Sequence, residues 1–547
     1  MKKTLFLFVI TLALFSACKQ ADSPQQTATK LEIKDGWYYI NGEKTFINAL
    51  GYEIGARPGQ HPYEDSVYYE LERMAHDLEV IKAAGFNAIR TWSELYEEEM
   101  EVVQKSGLKI VYGIWILPHG EFSNPEFVKA AEEQVRSVMA FTKKFDCIIT
   151  YLIMNEPMVA HIHEQGAKAT VDLWTRLRDI IHEEHPGIPV TISNNAQIGE
   201  YINENIFDVY GFNSYDYNEG MTHTQTFGPH VAFLKAINGQ NKPLLMTEFG
   251  MSVSSVGWGM YGGNTLKAQE AHVIRNMVNC LDGGAAGVCP FYYADGWWKA
   301  GEPAVHNPLP EEWFGYWGYG DINDTIGYPR PVWYAMAEYN QGIIASPRNQ
   351  GIYSNTVPVE AFLNKGVTGI RVICLDKVIL DKKGLTKSHF TDNLVFDDTT
   401  MVDRELVFEF YDSKDKLVKY ETISLLTSDK PVVLPTLEVS VAERDLAKSK
   451  LCKATYTIAN DSKFRIVSPV EYNYSHHIGW EGGPSKAQAL KADEKKVTFS
   501  DTYEIPEKCQ VLTISAGMTV RYGKFIKRIH DEDILYRGDW ADAIKVN

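Results

Sequence analysis

The chain has 547 residues, 45% of them hydrophobic and 23% charged, which is too long for one core and too apolar for a disordered or collagen-like chain, so two or three globular domains are expected. A net charge of −17 excludes a nucleic-acid partner, because a polyphosphate is repelled and no concentrated basic face stands out in the sequence. The 12% of aromatic residues, with 30 Tyr, 24 Phe and 12 Trp, suit either a large core or a sugar-binding cleft, and composition does not choose between them.

Met1-Lys2-Lys3 and the apolar run Thr4 to Ala17 have the charged start and short apolar middle of a signal peptide over residues 1–17. That run is too short for a helix across a bilayer, which takes ~20 residues. Leu14-Phe15-Ser16-Ala17-Cys18 resembles the bacterial lipobox, with Phe15 where Leu is usual. The resemblance implies lipidation of Cys18 and an exported lipoprotein, held at the outer or cytoplasmic membrane by its lipid anchor alone. Residues 18–30 are polar and read as a tether. The remaining cysteines, Cys147, Cys280, Cys289, Cys374, Cys452 and Cys509, are dispersed, without the close Cys/His spacing of a zinc site.

Residues 31–345 read as one domain. An alternating stretch through Trp37-Tyr38-Tyr39-Ile40 turns at Asn41-Gly42, a dipeptide that favours a tight hairpin because both residues need positive φ. Strand-like runs then alternate with helical periodicity: Phe46–Gly51, Asn87–Trp92, Lys109–Ile116, Ile148–Glu156, Pro189–Asn195, Val209–Tyr215, Pro243–Gly250 and Gly287–Tyr293. Between them Val128, Ala131, Val135, Val138 and Thr142 mark a helix begun by Asn124-Pro125, and Val171, Trp174, Leu177 and Ile181 mark another that stops at His185-Pro186-Gly187. The series predicts an α/β fold, a (β/α)₈ TIM barrel. A doubly wound sheet would need a glycine-rich phosphate turn after an early strand. The one G-x-G-x-x-G, Gly257-Trp258-Gly259-Met260-Tyr261-Gly262, follows the seventh strand and reads as a loop.

Past the linker Ser346 to Gln350 the chain becomes β-rich, with short runs such as Ile370–Leu375, Leu406–Tyr411, Leu417–Leu425 and Val511–Ile514 between Lys/Asp/Gly/Ser turns. Residues 351–547 are expected to form one large β-sandwich or two small ones that buttress the barrel.

Barrel enzymes place catalytic groups at the C-terminal ends of strands, so polar residues directly after apolar runs are the ones to examine. Tyr151-Leu152-Ile153-Met154 leads into Asn155-Glu156-Pro157, and Leu244-Leu245-Met246-Thr247 leads into Glu248-Phe249-Gly250. A carboxylate there has its pKa set by apolar walls and a like-charged neighbour. Two such acids facing each other could cleave a glycosidic bond, one protonating the departing oxygen while the other attacks the sugar carbon or activates water. Each taken singly could equally be a salt-bridged strand-end acid.

Asn155-Glu156-Pro157 on the fourth strand and Thr247-Glu248-Phe249-Gly250 on the seventh resemble the acid/base and nucleophile motifs of glycoside hydrolase clan A, the retaining barrel enzymes that include β-glucanases, β-mannanases, β-galactosidases and β-glucuronidases. Gly85-Phe86-Asn87-Ala88-Ile89-Arg90-Thr91-Trp92 is similar to the clan's second strand, and Gly211-Phe212-Asn213-Ser214-Tyr215 to its sixth. The resemblance implies Glu156 as general acid/base and Glu248 as nucleophile of a double displacement on a β-linked glycan, β-glucan-like by preference. It places Asn155 on the sugar 2-hydroxyl, sets Arg90 and Tyr215 against Glu248 with the Arg charge keeping it ionised, and adds Asn213 and Trp92 to the substrate-binding set. On strand eight the clan's usual Trp is missing from Phe291-Tyr292-Tyr293-Ala294-Asp295-Gly296-Trp297-Trp298, so Tyr293 or Trp298 would floor the sugar. No metal or organic cofactor is implied. An exo-acting β-galactosidase or β-mannosidase, a transglycosylase, and a non-catalytic glycan-binding lipoprotein are the alternatives; the sequence leaves oligomeric state open.

Tyr52, Trp92, Trp115, Tyr217, Trp258, Trp297, Trp298, Trp313 and Trp317 fall near predicted strand ends or mouth loops, while Trp174 and Trp333 read as core. His161-Ile162-His163-Glu164 is read as a mouth loop rather than a metal site, and the acids of Glu97–Glu101 as a solvated helix face.

Overall fold

The structure, a computed structural model, describes residues 29–53, 57–62, 70–157, 159–195, 206–215, 231–232, 235, 241–441, 451–476, 481–482, 486–490, 495–504 and 512–536. The signal segment, Cys18, Tyr217 and Cys509 lie outside these residues.

Eight parallel strands close into a barrel: Ile47–Gly51, Ala88–Arg90, Lys109–Gly113, Ile148–Asn155, Val190–Asn195, Tyr210–Asn213, Leu244–Phe249 and Gly287–Pro290, each beside its successor and the eighth beside the first. All eight expected strands are present, several of them shorter at the C-terminal end, where the chain leaves the barrel to build the mouth. The interior is filled by Ile47, Ala49, Ala88, Val111, Ile149, Leu152, Val209, Leu245, Ala286 and Cys289, small and branched side chains that suit a narrow barrel. Below them the short antiparallel strands Leu31–Lys34, Trp37–Ile40 and Glu43–Thr45 plug the N-terminal end, with the Tyr38 hydroxyl 2.9 Å from Thr150 Oγ1 inside. Asn41 and Gly42 take φ of 55° and 81°, as the tight hairpin requires. With the base sealed, the polar business of the barrel is left to its other end.

The expected helices also form. Pro125–Thr142 starts at Asn124, whose side chain accepts from the Glu126 amide, and it buries Ala131, Val135, Val138 and Thr142. Ala167–Glu184 buries Val171, Trp174, Leu177 and Ile181. One acid departs from expectation. In the helix Glu97–Ser106, Glu99 is buried, not solvated, because as the third residue of the helix it turns back to accept from the Tyr96 amide at 2.7 Å, and burial pushes its pKa up to about 8.

Beyond the helix Pro331–Tyr339 the chain forms two β-sandwiches with separate cores, the first around Val357, Ile370, Phe408 and Leu425, the second around Tyr456, Val470, Ile514 and Val520. Strand Gly342–Ser346 already pairs with Thr356–Leu363, so β-structure begins ahead of the 346–350 segment. The first sandwich grips the barrel's base: Lys44 pairs with Glu360 at 2.7 Å, Phe362 packs on Trp37 and Phe46, and Asn340 Nδ2 donates to Ala84 O at 3.0 Å. These contacts are remote from the strand ends that carry the acids.

Candidate active site

Both acids sit where strand alternation is broken. In the seventh strand the register shifts after Met246 against both neighbours, and Glu248 is paired with Asn213. In the fourth strand the register shifts between Leu152 and Asn155, and Glu156 follows with φ of 47°, a backbone region that costs a β-carbon-bearing residue energy. Such irregularities re-aim side chains at a barrel rim.

Glu248 is almost wholly enclosed and faces three donors. Arg90 Nη1 lies 2.9 Å from Oε1, a charge pair without hydrogen-bond alignment; Trp92 Nε1 donates to the same oxygen at 2.7 Å; the Tyr215 hydroxyl donates to Oε2 at 2.8 Å. The Arg90 guanidinium also lies 3.8 Å from the centre of the Trp92 ring and donates through Nη2 to Asn155 Oδ1 at 2.7 Å. A group clamped by a cation and two neutral donors acts as an acceptor.

Glu156 has a different environment. It accepts from Asn213 Nδ2 at 2.9 Å, and burial, followed by the charge of Glu248, raises its pKa to about 7 despite the opposing Asn213 hydrogen bond and Arg90 charge. Glu311, on the loop after strand eight, adds to the upward push. Two carboxyl groups with unlike surroundings are what divided acid and nucleophile roles need.

Residues without a role at the sequence level complete this arrangement. The Thr247 hydroxyl donates to Asn213 Oδ1 at 2.7 Å and Ser193 Oγ lies 2.6 Å from the same oxygen, so the Asn213 amide is turned with its NH₂ toward Glu156. Phe291, immediately after strand eight, forms an aromatic wall with Trp92 (ring centroids 5.3 Å apart), Tyr215 (6.1 Å) and Phe314 (5.3 Å). Lys299 Nζ is 5.3 Å from the centre of the Phe291 ring and 3.8 Å from Glu53 Oε1, and Glu53 stands just past the end of the first strand. Burial raises the pKa of Glu311, with Lys299 opposing and the charges of Glu248 and Glu53 adding.

The structure gathers Arg90, Trp92, Asn155, Glu156, Asn213, Tyr215 and Glu248 into one cluster. It does not bring Tyr293 there. Strand eight ends at Pro290, and Tyr293 points into the layer between barrel and helices, where its hydroxyl donates to Asp77 at 3.1 Å and its ring packs on Tyr52, Trp317 and Trp333. Trp298 lies beside the cluster, its Nε1 3.3 Å from Glu53 Oε2 and its ring edge-on to His61. Trp297 and Trp313 sandwich His306, and Trp317 is packed on Trp333, so these three are structural. His161 bonds Gly120 O at 2.7 Å.

A parallel eight-stranded barrel with one carboxyl group directly after strand four and another near the C-terminal end of strand seven defines a catalytic domain of the glycosidase class. Residues 31–273 match the family model described as "Glycosyl hydrolases family 2, TIM barrel domain". No curated protein matches the chain in a sequence comparison. Among solved structures, it is similar to the FMN-binding β-glucuronidase of Faecalibacterium prausnitzii L2-6, with 16% identity, 74% of this chain and 59% of that one covered, and a TM-score of 0.46. It is also similar to Bacteroides uniformis β-glucuronidase 2 bound covalently to cyclophellitol-6-carboxylate aziridine, with 14% identity, 93% and 68% coverage and a TM-score of 0.46. A Parabacteroides merdae β-glucuronidase gives 12% identity, 92% and 64% coverage and a TM-score of 0.45.

Proposed function

We propose that the protein is a retaining β-glycosidase that acts on a β-linked glycan by double displacement. The observation that carries this reading is the contrast between the two acids: Glu248 clamped by Arg90, Trp92 and Tyr215, and Glu156 raised to about 7 beside it. In the first step a Glu248 oxygen bonds to the anomeric carbon, the bond from that carbon to the leaving oxygen breaks, and Glu156 gives its proton to that oxygen. The ester neutralises Glu248, so the charge that raised Glu156 is gone and Glu156 becomes a base. Water then attacks the anomeric carbon while Glu156 takes its proton, and the ester bond breaks to restore Glu248.

Asn155, its oxygen occupied by Arg90, offers its NH₂ to the sugar 2-hydroxyl, a contact that tightens as the ring flattens. Phe291 takes the place of the sugar floor that Tyr293 cannot supply. The wall beside it holds Glu53 and Glu311 near Lys299, a balance that favours a neutral sugar, rich in hydroxyl groups, over a uronate. Among neutral glycans a β-glucan-like chain is the preferred substrate, since the many aromatic residues of the mouth suit an extended chain. The lipobox-like sequence at Cys18 further supports an exported, lipid-anchored protein.

The test is hydrolysis of aryl β-glycosides by wild type, Glu156→Gln and Glu248→Ala. Turnover by the wild type with a loss of at least ~10²–10⁴-fold in each variant is expected. Glycan binding without cleavage of any β-linked substrate would instead identify a binding protein.

A further inference from the structure

The glycine-rich segment after strand seven has no part in the chemistry above, yet it is closely specified. Gly257 and Gly262 take φ of 99° and 119°, and a β-carbon at either would meet Tyr261 O at 1.9 Å or Val256 O at 1.8 Å, so only glycine fits. Asn264 Nδ2 lies within hydrogen-bonding distance of three loop carbonyls, those of Ser252 (3.0 Å), Gly259 (2.6 Å) and Gly262 (3.1 Å). Ser252 Oγ and Ser254 Oγ donate to Pro310 O and Pro308 O at 2.8 and 2.5 Å, which ties this loop to the one after strand eight.

What this framework presents is Trp258, 81% exposed. Val256, Tyr261 and Leu309 are also exposed on the same two loops. Folding gains nothing from leaving so large a ring in water, and a loop this constrained has its ordering entropy already spent before any ligand arrives. The loop connects to the acid pair: Tyr261, whose amide donates to Trp258 O at 3.1 Å, has its ring centroid 5.8 Å from that of Tyr215, which donates to Glu248.

We propose that Trp258 is a preformed stacking platform for a sugar other than the one whose bond is cleaved, so that the substrate is an oligo- or polysaccharide and not a simple glycoside. The flat indole meets the C–H face of a pyranose by the same apolar and quadrupole forces that pair aromatic rings. This rests on the β-glycosidase reading and extends it to a second subsite. The glycine motif then holds the platform still.

The experiment compares Trp258→Ala and Trp258→Phe with wild type on two substrates of the sugar the enzyme cleaves best, a β-glycosyl fluoride, whose leaving group has no ring to stack, and a β-linked tetrasaccharide. Trp258→Ala is expected to lower kcat/KM on the tetrasaccharide by about tenfold, the order of one aromatic stacking contact, with the fluoride unaffected, Trp258→Phe partly restored and Tm unchanged. Equal losses on both substrates, or no loss on the tetrasaccharide, overturn the proposal. If the wild type cleaves nothing, the β-glycosidase reading fails, and the platform is then tested by calorimetric binding of tetrasaccharides of β-linked glucose, mannose and galactose to wild type and Trp258→Ala. About tenfold weaker binding by the variant sustains it; equal affinity, or no binding by either, overturns it.

Discussion

Arg90 Nη1 stands 2.9 Å from Glu248 Oε1 with the guanidinium fully buried, and the same group reaches Asn155 and covers the face of Trp92. One planar cation therefore positions Glu248, Asn155 and an aromatic wall together. A lysine offers a single point of charge and cannot serve all three. Arg90→Lys is expected to lower kcat by ~10²-fold, comparable to loss of one preorganised donor. Steady-state kinetics check this, alongside a melting curve to show that the barrel still folds.

Glu156 supplies a pH dependence of definite sign. Its pKa, raised to about 7, keeps it protonated below that pH, and under the proposed acid role kcat/KM is expected to fall tenfold per unit as pH rises beyond it. The preference of the folded state for the protonated form also adds stability that is full below the ordinary glutamate range and fades as pH rises through about 7. Glu311 contributes to the upward shift, so Glu311→Gln is expected to move the alkaline limb of the kcat/KM profile to lower pH. An unmoved limb would show that Glu311 does not act on Glu156.

Thr247 and Ser193 fix which end of the Asn213 amide faces Glu156. Thr247→Val keeps the shape and removes one of the two donors, so the amide is left with Ser193 alone to hold it against rotation. The expected result is a fall in kcat of about tenfold, the size of one net hydrogen bond, with KM little changed. Rescue by Thr247→Ser would separate the lost hydroxyl from a packing effect.

The barrel was legible because each strand is a short apolar run bounded by turn chemistry, and the acids because they interrupt such runs at their C-terminal ends. Thr247 and Ser193 were not, since a hydroxyl residue inside a strand looks like any other strand former until its partner across the sheet is known. In the sequence Glu99 reads as solvated because a charge run gives no sign that one member turns inward to cap its own helix. Near strand eight, three consecutive aromatic residues carry no period, and only the strand's end at Pro290 shows which one faces the acids.

That distinction is testable. Phe291 packs edge-on to Trp92 and Phe314 beside Glu248, whereas Tyr293 spends its hydroxyl on Asp77, which also accepts from Tyr52 at 3.0 Å and pairs with Arg57. Tyr293→Phe leaves a buried ion pair with one donor fewer, at a stability cost of ~1–2 kcal/mol, and is expected to lower Tm with kcat/KM intact. Phe291→Leu keeps apolar volume and loses the flat face, so kcat/KM is expected to fall by about tenfold, the order of one aromatic contact, while Tm moves less. The reverse pattern in paired melting and kinetic measurements, with activity lost at Tyr293 and retained at Phe291, would return the sugar floor to Tyr293.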